Sequence, residues 1–114
     1  MTEVEAICPR FHHAVELIGA RWSGAILGAV FAGGHRYSDI KAVIPSVSDT
    51  MLAQRLRALE AEGLLERRAV AGAGPLRAEY HLTDKGAALA PVIDALKTWA
   101  HDWVPVDEVT RRAS

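Results

Sequence analysis

The stretch Ser48-Asp49-Thr50-Met51-Leu52-Ala53-Gln54-Arg55-Leu56-Arg57-Ala58-Leu59-Glu60-Ala61-Glu62-Gly63-Leu64 decides how this chain folds. Its local signals agree on a helix. Ser48 is a good N-cap, and Asp49 adds negative charge in the first turn, where the helix dipole favours it. Gly63 falls at the C′ position, where a left-handed residue is wanted, and Leu64 can fold back on Leu59 as in a Schellman ending. Leu52, Leu56 and Leu59 follow i, i+4, i+7 and form one apolar stripe for a core. At about 100° per residue, the opposite face carries Thr50, Gln54, Arg57, Ala58 and Ala61. Taken alone, that face suits solvent as well as it suits a ligand.

The flanking sequence narrows the choice. Upstream, Ser38 to Ile44 reads as a short helix closed by Pro45, and Pro45-Ser46-Val47 is a tight connection into Ser48. Two helices joined this way make a helix-turn-helix. Downstream, Leu65–Val70 and Leu76–Leu82 flank the turn-rich Ala71-Gly72-Ala73-Gly74-Pro75. In the second run Leu76, Ala78, Tyr80 and Leu82 alternate with Arg77, Glu79 and His81, the period of a strand. A β-hairpin directly after the second helix is the wing of a winged helix, a DNA-reading arrangement.

Further out, Cys8-Pro9 starts a first helix with proline at N1, Phe11, Ala14, Val15 and Ile18 stripe it, and Gly19 ends it. A second helix, about Arg21 to Ala32, is apolar almost all round and should be central; Gly33-Gly34 stops it. His35-Arg36-Tyr37 suits a very short strand. Thr83 caps a last helix, about Asp84 to Trp103, which Pro91 should kink or loosen at about 3 kcal/mol for an interior proline. The expected fold is therefore α+β, mainly α: one winged helix-turn-helix domain over residues 8–103, with residues 1–7 as an arm and 104–114 as a frayed tail.

With 114 residues, 50% hydrophobic and 24% charged, the chain suits a single ordinary globular domain. No run of 18 apolar residues suggests a membrane span, and the acidic Met1-Thr2-Glu3-Val4-Glu5 start lacks the bases of a signal peptide, so a cytoplasmic location is expected. The net charge of −1 gives no general attraction for nucleic acid. Over residues 48–82, Arg55, Arg57, Arg67, Arg68 and Arg77 are balanced by Asp49, Glu60, Glu62, Glu66 and Glu79. Binding to DNA must then rest on where the charges point.

These motifs resemble the HxlR-type transcriptional regulators, a branch of the MarR-like winged-helix proteins. The resemblance covers about residues 8–103. It rests on Cys8-Pro9, Leu17-Ile18-Gly19-Ala20-Arg21-Trp22, Arg36-Tyr37-Ser38-Asp39-Ile40, Leu52 to Leu64, and Arg77-Ala78-Glu79-Tyr80-His81-Leu82-Thr83-Asp84-Lys85-Gly86. It implies a homodimer joined by terminal helices, with two recognition helices in successive major grooves. The chain departs from it at Thr50, where many members carry lysine, and at Ala53, where Thr or Ser is common.

Ser48, Thr50, Gln54, Arg57 and Arg77 are the candidate DNA contacts. Gln54 suits bidentate recognition of adenine, Thr50 a phosphate or a thymine methyl, and Arg57 a phosphate. Arg77 on the wing suits a narrow minor groove, or else a cross-strand pair with Glu66. Arg55 suits an ion pair with Glu62 or Glu66 as well as it suits DNA, and only one of Arg67 and Arg68 can face outward with Arg77. Cys8, at a helix start where the dipole favours a thiolate, is a candidate sensor of electrophiles or oxidants, or an inert, partly buried thiol. The resemblance adds that some members sense through an N-terminal cysteine.

Phe11, Val15, Val92, Leu96, Trp99 and Trp103 give the terminal helices more apolar face than the core can cover, so they are the candidate dimer interface. Trp99 and Trp103 are alternatively an effector pocket. His12, His13, His35, His81 and His101 show no metal spacing, and neither a phosphate loop nor a Gly-x-Ser-x-Gly elbow is present, so no metal, cofactor or enzyme chemistry is expected. The reading is a dimeric regulator of transcription, a repressor or dual-acting, with double-stranded DNA and a small-molecule effector as partners and no membrane. The alternative is a winged-helix interaction or ligand-binding module with little DNA affinity.

Overall fold

A computed structural model describes residue 6 and residues 8–70 and 78–107. Among the described residues the order is α1 (Pro9–Gly19), α2 (Ser23–Phe31), α3 (Tyr37–Val43), α4 (Asp49–Ala61), β1 (Leu65–Ala69), β2 (Ala78–Leu82), α5 (Asp84–Ala87) and α6 (Ala90–Trp103). This is a mainly helical winged helix-turn-helix, as the sequence predicts. α2 is the central element: Ile26, Leu27, Ala29 and Val30 are buried, and it packs on α1, α3, α4, α6 and β2. Ile40, Ile44, Val47, Leu52, Leu56, Leu59, Leu64 and Leu65 complete the core around it.

The ends of α4 form as the sequence predicts. The Ser48 hydroxyl accepts the Met51 N–H at 3.1 Å. At the other end Gly63 has φ +77°, its N–H donates to the Glu60 carbonyl, and the Leu64 N–H donates to the Leu59 carbonyl at 3.0 Å. Those bonds make a Schellman ending. α5 then docks on it. The Thr83 hydroxyl caps α5 by accepting the Gly86 N–H and donates in turn to the Gly63 carbonyl, while Lys85 Nζ donates to the Glu62 carbonyl at 2.7 Å.

β1 and β2 pair antiparallel, with Leu65 opposite Leu82, Arg67 opposite Tyr80 and Ala69 opposite Ala78. β1 ends at Ala69, one residue inside its predicted run, and residues 71–77, which include the turn and the start of the second predicted run, lie outside the described residues. The expected strand at His35-Arg36-Tyr37 is reduced to a single bridge, Arg36 to Glu79, because Tyr37 already opens α3. Arg36 precedes that helix with its N–H on Asp39 Oδ2, at 3.3 Å.

Two further expectations are corrected. The helix predicted from Asp84 to Trp103 is two helices, broken at Ala88-Leu89. Pro91 lacks an N–H, and its ring would clash with the carbonyl four residues back, at Ala87, where α5 stops. The chain restarts with proline in the first turn of α6, where the missing donor costs nothing. The second helix begins at Ser23 rather than Arg21, because Trp22 takes φ +74° and turns the chain, leaving α1 and α2 bent by 79°. The Arg21 guanidinium lies 4.9 Å from the Trp22 ring centre, a cation–π contact. The Arg21 carbonyl accepts Arg55 Nε at 2.9 Å. No helix among the described residues is long and apolar enough to cross a membrane.

Candidate nucleic-acid interface

α4 presents its polar face because its other side is fixed in the core. Leu52, Leu56 and Leu59 are essentially fully buried, which leaves Thr50, Gln54, Arg57, Ala58 and Ala61 exposed together. The predicted contacts Thr50, Gln54 and Arg57 therefore share one exposed surface, with Ser48 at its N-terminal edge. The Ser48 hydroxyl is engaged as a cap, so a bond from it to a phosphate has to share that oxygen.

α3 sets the angle of α4 through its ends. The Tyr37 hydroxyl donates to Asp49 Oδ1 at 2.8 Å, Lys41 Nζ lies 3.8 Å from the same oxygen, and Lys41 also donates to the Val47 carbonyl. Burial of the Tyr37 phenol, then the hydrogen bond and the charge of Asp49, push its pKa up to about 12. Tyr37 therefore stays a protonated donor at any physiological pH.

The root of the hairpin is tied to the segment before α3. The Tyr80 N–H donates to the His35 carbonyl at 2.7 Å, and His35 Nδ1 donates back to the Tyr80 carbonyl at 3.1 Å. The His35 and His81 rings stack at 4.1 Å between centres, and His81 Nε2 meets Glu79 Oε1 at 2.8 Å. That hydrogen bond holds the Glu79 carboxyl below the ordinary glutamate range against some desolvation, with the charges of His81, Arg36 and His35 helping.

Several side chains differ from expectation. Arg55 pairs with neither Glu62 nor Glu66; it caps the Arg21 carbonyl, holding the α1–α2 turn to α4. Glu66 pairs with Arg68 at 3.2 Å along its own strand, and its cross-strand neighbour is His81. Arg77, the predicted wing contact, lies outside the described residues. Between Arg67 and Arg68 the sequence alone does not choose. Arg67 stands opposite Tyr80 and lines a groove of about 390 Å³ together with Tyr37, Ala53, Arg57, Glu60 and Tyr80. The available signal is the alternation of β2, which puts Tyr80 on the face of Leu82; β1, reading Leu65-Glu66-Arg67-Arg68, does not alternate clearly enough to use it.

Away from this surface, Cys8 is exposed and occupies the N-cap of α1. Its carbonyl accepts the His12 N–H at 2.9 Å, and its thiol makes no capping bond. Phe11 and Val15 on α1 and Val92, Leu96, Trp99 and Trp103 on α6 are all exposed, Trp103 at 72%. α6 buries only Ile93.

Comparison with known proteins agrees with this fold. Residues 17–108 match the HxlR-like helix-turn-helix family. The HTH-type transcriptional regulator YvaP of Bacillus subtilis (strain 168) is 41% identical over 98 residues, covering 86% of this chain and 90% of YvaP. The reduced form of the B. subtilis transcriptional regulator YodB is similar with a TM-score of 0.74 at 35% identity, over 87% of this chain and 96% of that one. Diamide-treated and quinone-bound forms of YodB are similar too. The redox regulator HypR in its oxidised form gives a TM-score of 0.78 at 30% identity, over 87% of this chain and all of that one (100%). The chain belongs to the HxlR-like helix-turn-helix family of transcriptional regulators.

Proposed function

We propose that this regulator is a homodimeric repressor that reads a two-fold operator through α4 and responds to electrophiles or oxidants at Cys8. The observation that carries the reading is the exposed face of α4, where Gln54 stands between Thr50 and Arg57 beside a hairpin anchored at its root. A glutamine in that position can accept from and donate to one adenine edge, whereas the arginine and threonine serve phosphates. Gln54→Ala is expected to relax discrimination at one operator position by about 1–3 kcal/mol, the worth of a bidentate base contact, and to leave binding to other positions alone. Competition titrations with single-base operator variants measure this. Unchanged discrimination at every position would remove Gln54 from the reading surface.

The sensing half rests on Cys8, exposed at a helix start, and on the quinone-bound and diamide-treated forms of YodB, a similar protein. With one cysteine per chain, oxidation can give an intersubunit disulfide or a mixed disulfide but no internal one. A quinone is attacked by the thiolate, which forms a carbon–sulfur bond and leaves the ring at the hydroquinone level. Quinone treatment is expected to change the operator affinity of the parent and not that of Cys8→Ser. An equal response in both proteins would exclude Cys8 as the sensor.

A second reading, an interaction module with little DNA affinity, is favoured by the net charge of −1 and by Thr50 in place of a first-turn lysine. Sequence-independent, salt-insensitive behaviour toward duplex DNA would support it.

A further inference from the structure

A groove separates α4 from the hairpin. A helix in the major groove and a hairpin reaching the next minor groove leave one sugar–phosphate strand between them. That strand passes over whatever separates helix from hairpin. In this chain the separation is the groove of about 390 Å³ lined by Tyr37, Ala53, Arg57, Glu60, Arg67 and Tyr80. Register puts Arg67 and Tyr80 opposite each other on the face of the ribbon that begins with the buried Leu65. Arg57 enters from the helix side, on the flank of Ala53 and Glu60. The rings of Tyr37 and Tyr80 pack on the core and so frame the groove from below.

We propose that this groove is a seat for one DNA backbone phosphate per protomer, gripped by Arg67 from the hairpin and Arg57 from the helix, with the Tyr80 hydroxyl as a neutral third donor. The proposal rests on reading α4 as the major-groove helix and adds a contact that does not depend on the tip of the wing. A planar guanidinium can place two parallel N–H bonds on a phosphate, and arginines on opposite walls clamp it from two sides. Tyr37 does not join the grip, because its hydroxyl is already committed to Asp49. Glu60 opposes it: one carboxylate stands against two guanidiniums in the lining and weakens the seat for any anion. Arg68 points elsewhere, being opposite Glu79 in register and bonded to Glu66.

The test is a set of anisotropy titrations against one duplex, between about 50 and 200 mM salt, on the parent, Arg67→Ala, Arg67→Lys, Arg68→Ala and Glu60→Gln. Each phosphate contact contributes about 0.9 to the slope of log affinity against log salt. Arg67→Ala is expected to reduce that slope by about 0.9 per protomer and to weaken binding to every sequence alike. Arg67→Lys retains most of the slope, Arg68→Ala keeps all of it, and Glu60→Gln binds more tightly on every sequence. Arg67 is exposed on a strand, so its removal leaves the fold intact, which a thermal melt checks. A parental slope in Arg67→Ala, or an equal loss in Arg68→Ala, would overturn the seat while leaving α4 as the reading helix. A parent whose duplex binding ignores salt would overturn both.

Discussion

Gly86 shows how tightly single residues tie α4 to α5. It is buried in α5, over the end of α4, and a Cβ added there would lie inside contact distance of the Leu64 carbonyl oxygen and carbon. Both belong to backbone already fixed, since that carbonyl accepts the Thr83 N–H at 3.1 Å. Gly86→Ala is therefore expected to destabilise the fold by about 1–3 kcal/mol, the cost of overpacking, read as a lower urea midpoint with an unchanged slope. Gly19 is the contrast. It is exposed at the end of α1 with open space around its Cβ position, so Gly19→Ala should be neutral or stabilising by up to about 1 kcal/mol. Trp22 is strained: a bulky residue at φ +74° costs about 1–3 kcal/mol. The stacking of Arg21 on its ring and the Arg55 bond to the Arg21 carbonyl hold it there.

At the scale of elements, the sequence is legible wherever short-range chemistry decides the outcome. α4 can be read from end to end because its cap, its stripe and its stop are all within its own residues: Ser48, the leucines 52, 56 and 59, and Gly63. The central place of α2 is legible from its apolar circumference. The break between α5 and α6 is not, because the apolar spacing of Leu89, Val92, Ile93 and Leu96 runs on as if through one helix. Only the cost of Pro91 hints at it, and whether that cost bends or breaks a helix depends on how α5 docks on the end of α4. Side chains whose partners are far along the chain are equally hidden. Arg55 reaches back to Arg21, and His35 reaches forward to Tyr80. For the candidate site, the exposed face of α4 comes from periodicity, whereas the wall opposite it, Arg67 beside Tyr80, needs the register of a hairpin whose β1 strand does not alternate. His35, Arg36 and Glu79 tie the root of that wall to the segment leading into α3.

The molecule as a whole has an interior finished around α2 and an exterior that is not. Phe11, Val15, Val92, Leu96, Trp99 and Trp103 leave on the terminal helices an apolar surface that a soluble monomer rarely carries. In the proposed homodimer a second copy would cover it by the isologous contact usual for two-fold pairs, and the same axis would repeat α4 on one side of the dimer. Two recognition helices related in this way fit successive major grooves about 34–36 Å apart. The direct test is to select duplexes from a randomised pool with the intact protein and to footprint the survivors. The expected result is a palindromic site with two protected half-sites whose centres are about 10–10.5 base pairs apart, bound by two chains. A single unpaired half-site bound by one chain, or a pool that never converges on a sequence, would contradict it.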